Sequence, residues 1–142
     1  MRGFMEIKGI DVSAWQGKID WKTVADYGMG FAILRITEAG NVVDSTFEAN
    51  YEGCSRYQIP TGVHKYSYAM TPQESVREAE KVVQILNGRE LRFPVFLDLE
   101  WKNQRVLGCS GVEKIAEAFE KVITAAGYRF GIYCNVDWYQ TM

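Results

Sequence analysis

The first candidates for chemistry are two acidic residues, Asp98 and Glu100, which alternate with apolar residues in the segment FPVFLDLE. Two steps along a β-strand would place their Cα atoms roughly 6.6 Å apart on one face. Two carboxylates that close, in the apolar surroundings of Leu97, Leu99 and Trp101, cannot both ionise freely. The pKa of one should therefore rise, leaving a protonated acid near neutral pH. Cleavage of a glycosidic bond uses such a pair: one acid protonates the leaving oxygen, and one carboxylate supports the positive anomeric centre.

Polar side chains recur in the same phase on other strand-like segments. Asp11 stands between Ile10 and Val12 in the sequence. In a strand its side chain would therefore point to the face opposite these two aliphatic residues. The carboxyl ends of the strands build the active site in β/α barrels, so we expect these polar groups to converge with Asp98 and Glu100. The further members of this phase are His64, Tyr66, Tyr68, Tyr133 and Asn135.

Five strand-like segments alternate with helix-like ones along the chain, which predicts βαβ units and a mostly parallel sheet. Asp20 is a predicted helix cap, and Thr71 with Glu74 forms a predicted capping box, as does Ser110 with Glu113. No glycine-rich phosphate loop follows the first strand, which disfavours a nucleotide-binding doubly wound fold. We therefore predict the α/β class, as a modified TIM-like (β/α) barrel that is incomplete, with about five parallel strands and flanking helices. The predicted strands cover residues 7–13, 31–37, 61–69, 92–100 and 128–135.

Composition excludes several classes of protein. The net charge is −2 without any long basic run, so we expect no nucleic-acid partner and no binding to an anionic membrane. The apolar fraction of 47% is typical of a globular domain, and no apolar stretch is long enough to span a bilayer. The start MRGFMEIKG lacks the apolar core of a secretory signal peptide. The cysteines at 54, 109 and 134 are odd in number and widely spaced, which favours buried free thiols over disulfides or a zinc site.

Several ordered segments together resemble glycoside hydrolase family 25, the Chalaropsis-type lysozymes. They are GIDVSAWQGKIDW from Gly9, FAILRITEAG from Phe31, IPTGVHKYSYA from Ile59, FPVFLDLE from Phe93 and GIYCNVDWY from Gly131. The resemblance runs from residue 9 to 142, with residues 1–8 as an N-terminal extension plus the start of the first strand. It departs at His64 and Lys65, where the family pattern has an aromatic residue followed by histidine.

The resemblance implies hydrolysis of the β-1,4 bond between N-acetylmuramic acid and N-acetylglucosamine in peptidoglycan, without a cofactor. Glu100 matches the proposed general acid of the family, and Asp98 matches the partner that positions the N-acetyl group or supports the developing charge. Asp11 matches the acidic residue at the end of the first strand, and Tyr66 a tyrosine of the third. The expected place of action is the cell wall outside the cell, reached as a phage lysin or by separate export.

The expected substrate-binding residues are Trp15, Tyr66, Tyr68, Tyr133 and Asn135, around the catalytic carboxylates. The family domain continues into further strands, so we expect the chain to lack the C-terminal strands and to expose strand edges that favour self-association. A truncated, non-catalytic peptidoglycan-binding or remnant domain is the alternative function. A third hypothesis is a different glycosidase or a metal-dependent hydrolase on the same scaffold.

Simpler interpretations stay open for individual residues. Asp11 can cap a turn, and the Asp98–Glu100 pair can be a solvated strand end or bind a divalent cation, although no further ligand cluster accompanies it. The tyrosines can simply fill the barrel. His64 is the only histidine, and a lone histidine is more often structural than catalytic.

Three expectations concern charged residues around the site. Arg35 lies mid-strand, where a free charge is costly, so we expect it to pair with a carboxylate of the cleft. Glu38 should face the opposite way from Arg35 if the strand is regular. The acidic stretch from Glu74 to Glu80 is mixed in sign and is typical of a solvated helix face.

Overall fold

The fold is organised by a sheet of parallel strands that follow one another in space as they do along the chain. The structure, a computed structural model, describes residues 8–134. The strands are β1 Gly9–Val12, β2 Phe31–Arg35, β3 Thr37–Glu38, β4 Val42–Val43, β5 Thr61–Tyr66, β6 Val95–Asp98 and β7 Phe130–Tyr133. The main sheet has the order β1-β2-β5-β6-β7 with all neighbours parallel, which confirms the predicted five parallel strands. The antiparallel pair β3–β4 was not predicted.

A helix connects each strand of the main sheet to the next. The helices are α1 Trp21–Asp26, α2 Phe47–Arg56, α3 Pro72–Leu86 and α4 Gly108–Ala125. Two short 3-10 helices, Ala14–Gln16 and Lys102–Leu107, follow β1 and β6. This alternation confirms the α/β class.

Helix capping follows the sequence at two of the three predicted positions. The Asp20 side chain accepts a hydrogen bond from Thr23 N at 3.2 Å, and Thr71 Oγ1 accepts one from Glu74 N at 3.1 Å. The Ser110–Glu113 capping box is wrong, because α4 begins at Gly108. The 3-10 helix Lys102–Leu107 leads directly into α4, so Ser110 already lies inside the first helical turn.

The two phases of each strand separate the core from the cleft described below. The aliphatic phase packs against the helices and is at most 5% exposed at Val12, Leu34, Val63, Val95 and Leu97. The helices contribute their own buried stripe, which includes Val82, Leu86, Ile115, Phe119 and Ile123. The core therefore lies between the sheet and the helices, and the polar phase of the strands faces the opposite side.

Two expectations about single residues are wrong. Glu78 does not lie on a solvated face, since it is only 7% exposed and packs beside Lys65, which is 1% exposed. Cys54 is a buried thiol as expected, but Cys109 is exposed because it lies in the first turn of α4.

The outer edges of the main sheet are formed by β1 and β7. Within residues 8–134, neither edge pairs with a further strand. The self-association expected from such edges stays a prediction. Across the same residues, no helix combines the length and apolarity that crossing a membrane requires.

Candidate active site

An open cleft of about 550 Å³ lies at the carboxyl ends of the parallel strands. Asp11 of β1, Asp98 of β6 and Glu100 just after β6 all line it. The register explains the convergence, because β1 pairs with β2, β2 with β5 and β5 with β6 in parallel, which brings their carboxyl ends to one rim. The structure therefore brings together the acidic residues that the strand phases placed on one side.

The aromatic residues expected to bind substrate line the same cleft. Trp15, Tyr66, Tyr68 and Tyr133 all contribute to its walls. Asn135 lies outside the described residues. The ring centroids of Tyr66 and Tyr68 are 4.8 Å apart, and Trp101 meets Tyr68 edge-on at 5.2 Å. Tyr66 and Tyr68 therefore form an aromatic wall in the cleft that Glu100 also lines, and Trp101 packs against the Tyr68 ring.

Asp98 and Glu100 form an electrostatically coupled pair. Burial, then the negative charge of Glu100 and a hydrogen bond with it, raise the pKa of Asp98 to about 7, and the charge of Asp11 adds to this. Asp98 is only 7% exposed, and its Oδ1 has no hydrogen-bond partner within the part of the chain that the structure describes. Asp98 is therefore about half protonated near neutral pH, while Glu100 is the more accessible of the two residues.

His64 lies in the cleft, where its Nε2 is 3.4 Å from Asp11 Oδ1. Burial lowers the pKa of His64 despite the opposing attraction of Asp11. The imidazole is therefore largely uncharged near neutral pH and contacts Asp11 as a neutral group. The strand phase predicted His64 on the side of the acidic residues, and it lies in the cleft lining; its structural or catalytic role stays a prediction.

Arg35 pairs with a carboxylate that the sequence reasoning missed. Its Nε donates to Asp44 Oδ2 at 2.6 Å, and Ala14 N donates to the same oxygen at 3.1 Å. Thr46 donates to Asp44 Oδ1 from both its N and its Oγ1. Asp44 thus ties β2 to the loop that carries Trp15. The local signal was the spacing Asp44-x-Thr46, which is typical of an Asx turn.

Glu38 also contacts Arg35, contrary to expectation. Glu38 Oε1 lies 3.3 Å from Arg35 Nη2. The expectation assumed a regular strand through both residues, but β2 ends at Arg35 and the chain turns into the β3–β4 hairpin. Both side chains consequently line the cleft.

We expect Asp44→Ala to lower the free energy of unfolding by about 3–5 kcal/mol, because it leaves the half-buried Arg35 without its main partner. Burial of Asp44 acts to raise its pKa, but the hydrogen bonds from Thr46, Arg35 and Ala14 prevail and lower it. This stabilisation is present above the unfolded value of 3.8 and is lost as the pH falls through the lower folded pKa.

Urea unfolding of the wild-type and Asp44→Ala proteins at pH 7 and at pH 3 measures the difference in their free energies of unfolding. The matched control is Asp26→Ala, which removes an ion pair with Lys22 between two largely exposed side chains and should cost less than about 1 kcal/mol. Equal losses in the two variants would contradict the role of Asp44.

Within residues 8–134, no three His, Cys, Asp or Glu side chains are grouped so that they could hold a metal ion.

Comparison with known proteins gives a consistent result. The family model for glycosyl hydrolases family 25 matches residues 10–142. Lysozyme M1 of Streptomyces globisporus is 41% identical over 61 residues, which are 43% of this chain and 21% of that protein. The chain spans half or less of the length of the first curated relatives that it matches.

Solved structures agree with the sequence comparison. The modular autolysin LytC of Streptococcus pneumoniae superposes with a TM-score of 0.85 at 26% identity, covering 95% of this chain and 34% of LytC. The bacterial lysozyme of Streptomyces coelicolor gives a TM-score of 0.79 at 26% identity, covering 98% of this chain and 67% of that one.

Proposed function

Since the chain belongs to glycosyl hydrolases family 25, we propose that it hydrolyses the β-1,4 bond between N-acetylmuramic acid and N-acetylglucosamine in peptidoglycan. The observation that carries this proposal is the convergence of Asp11, Asp98 and Glu100 in one cleft at the carboxyl ends of the strands. The similar autolysin LytC has been solved in complex with a synthetic peptidoglycan ligand, which supports the choice of polymer. We assign this activity to a domain spanning residues 9–142.

Glu100 is the proposed general acid because it is the accessible member of the coupled pair. The proton that Asp98 holds below its pKa of about 7 can pass to Glu100 along the hydrogen bond between the two carboxyls. From Glu100 the proton passes to the glycosidic oxygen as the bond to the anomeric carbon breaks, and water then bonds to that carbon and returns a proton to the carboxylates.

Asp98 is the proposed partner for the substrate's N-acetyl group. Among residues 8–134 its buried Oδ1 has no hydrogen-bond donor, and an acetamido N–H is a donor of the kind that would satisfy it. Asp11, which contacts His64 and lines the same cleft, is proposed to support the positive anomeric centre.

The aromatic walls are the proposed sugar-binding surfaces. Tyr66 and Tyr68 offer ring faces and hydroxyl groups, and burial with the nearby charge of Glu100 raises the pKa of Tyr66, so its phenol remains a hydrogen-bond donor. Tyr133 borders the same carboxylates. We include Asn135 in the proposed substrate site on the basis of the sequence pattern.

The proposed place of action is the cell wall. A direct test is release of reducing ends from purified walls, with separate measurement of wall binding. Binding without any release of reducing ends would support the alternative of a non-catalytic wall-binding domain and contradict hydrolysis. Products with a reducing end other than muramic acid would contradict the proposed bond specificity.

We expect Trp15→Ala to raise the KM for wall polysaccharide by about 3–10-fold with little change in kcat, because an exposed indole at the cleft rim offers a stacking face. Trp15 is 86% exposed, so the substitution should leave the unfolding free energy nearly unchanged. Initial rates over a range of wall concentrations measure the effect.

The matched control for Trp15 is Tyr27→Ala. Tyr27 is similarly exposed, at 78%, but lies at the end of α1 away from the cleft. A KM for the Trp15 variant that matches this control would exclude Trp15 from substrate binding.

A further inference from the structure

A buried polar cluster lies behind the cleft, on the helix side of β5. It consists of Lys65, Ser67, Glu78 and Gln104, each of which is at most 7% exposed. Lys65 and Ser67 follow the aliphatic phase of β5, whereas Tyr66 and Tyr68 face the cleft. Neither the acidic pair nor the aromatic wall includes any member of this cluster, and burying so many polar groups is costly unless they are mutually satisfied.

Glu78 of α3 is the centre of the cluster. Its Oε1 accepts from Ser67 Oγ at 3.2 Å, and its Oε2 accepts from the backbone N of Tyr68 at 3.0 Å. Lys65 Nζ lies 3.6 Å from the same Oε2 and balances the buried charge. One carboxylate thereby fixes the backbone at the residue whose ring forms the cleft wall.

Gln104 joins the same cluster from the segment that follows Glu100. Its Nε2 donates to Ser67 Oγ at 2.9 Å and to Ala69 O at 2.8 Å. Its backbone N also donates to Trp101 O at 3.0 Å, which closes the turn directly after Glu100. The turn that carries Trp101 is therefore attached to the turn that carries Tyr68.

We propose that Glu78 and Gln104 are positioning residues that hold the cleft-lining ring of Tyr68, and Trp101 packed against it, in a fixed place relative to Glu100. The inference deepens the proposed hydrolase function and rests on it. Gln104 and the edge-on ring contact at 5.2 Å join the two turns, so loosening the cluster lets the Tyr68 ring shift against the proton donor. Lys65 serves as the counter-ion of Glu78 rather than as a hydrogen-bond donor to the turns.

The test separates the acceptor function of Glu78 from its charge. Lys65 is replaced by methionine in both variants, so that no buried charge is left alone, and Glu78 becomes either methionine or glutamine. The K65M/E78M protein should show a kcat/KM at least about 10-fold lower than wild type, because misplacement near the chemistry is costly. The conservative K65M/E78Q protein keeps an acceptor and should recover most of that loss.

A second variant probes the other half of the cluster. Gln104→Met keeps the volume of the side chain but removes both donors, and we expect a fall in kcat/KM of similar size. The control is Glu80→Met, which alters an exposed glutamate two residues from Glu78 on the same helix. If K65M/E78M fails to fold, Gln104→Met alone decides the proposal.

A readout independent of catalysis distinguishes failure of this inference from failure of the proposed function. Acrylamide quenching of Trp101, obtained by subtracting the signal of the matching Trp101→Phe protein, should increase by a factor of about two in K65M/E78M and Gln104→Met. Unchanged quenching and unchanged KM and kcat in both variants would overturn the positioning role. Increased quenching in a protein that cleaves no wall polysaccharide would retain the positioning role and reject the hydrolase.

Discussion

Replacing Glu100 with glutamine is expected to lower kcat on cell-wall polysaccharide by about 10²–10⁴-fold, which is the usual contribution of a general acid. The amide keeps the shape of the side chain but cannot donate a proton to the glycosidic oxygen. Glu100 is partly exposed at the cleft and outside the core, so the unfolding free energy should change little. Reducing-end release, normalised to the folded protein concentration, measures the loss.

The chemistry of the leaving group provides the sharper version of this experiment. An aryl glycoside with an acidic phenol needs no protonation to depart, so Glu100→Gln should lose much less activity on it than on the natural polymer. The matched control is Glu117→Gln, an exposed glutamate on α4. Equal losses on both substrates would remove Glu100 from the role of proton donor.

Replacing Asp98 with asparagine is expected to affect activity and pH-dependent stability together. The folded pKa is about 7 and the unfolded value is 3.8, so the folded state holds a proton that the unfolded state has released between these pH values. The raised pKa therefore contributes stability that is complete below about pH 4 and is lost as the pH rises towards 7.

Asparagine removes this dependence because it carries no titrating proton. Relative to Asp98→Asn, the wild-type protein should lose about 1–3 kcal/mol of unfolding free energy between pH 4 and pH 8, allowing for partial screening in the open cleft. We also expect at least about a 10-fold fall in kcat from loss of the carboxyl partner. Urea unfolding across pH and initial-rate kinetics measure the two effects.

Asp26→Asn is the control for stability, since its ion pair is largely exposed. Parallel pH dependences of stability in the wild-type and Asp98→Asn proteins would show that Asp98 does not hold the retained proton. The Asp44 effect lies in a more acidic window, below pH 3.8, so the two titrations can be separated.

Sequence patterns that span only a few residues correctly predicted two helix caps and the faces of the strands. Asp20 and Thr71 cap their helices because each side-chain oxygen accepts a hydrogen bond from the backbone N–H three residues later, in the first helical turn. Strand alternation correctly placed Asp98 on the cleft side and Leu97 in the core, because successive side chains on a strand point to opposite faces.

The residues that sequence reasoning missed depend on contacts between distant segments. Asp44 follows a strand of only two residues, and its partners include Ala14 from the first connection of the fold. Glu78 has the local pattern of a solvated helix, and only the packing of α3 against β5 brings Lys65 to it. The spacing of polar and apolar residues along a helix does not show which charged residue will contact a buried counter-ion on another element.

The order of the strands has a consequence for biosynthesis. Each strand of the main sheet pairs with the strand of that sheet that precedes it in the chain, so pairing can proceed stepwise as the polypeptide leaves the ribosome. Asp11 emerges with the first strand of this sheet, whereas Asp98 and Glu100 arrive only with the fourth. The nascent chain can thus form much of its hydrophobic interior before it possesses an acidic cluster.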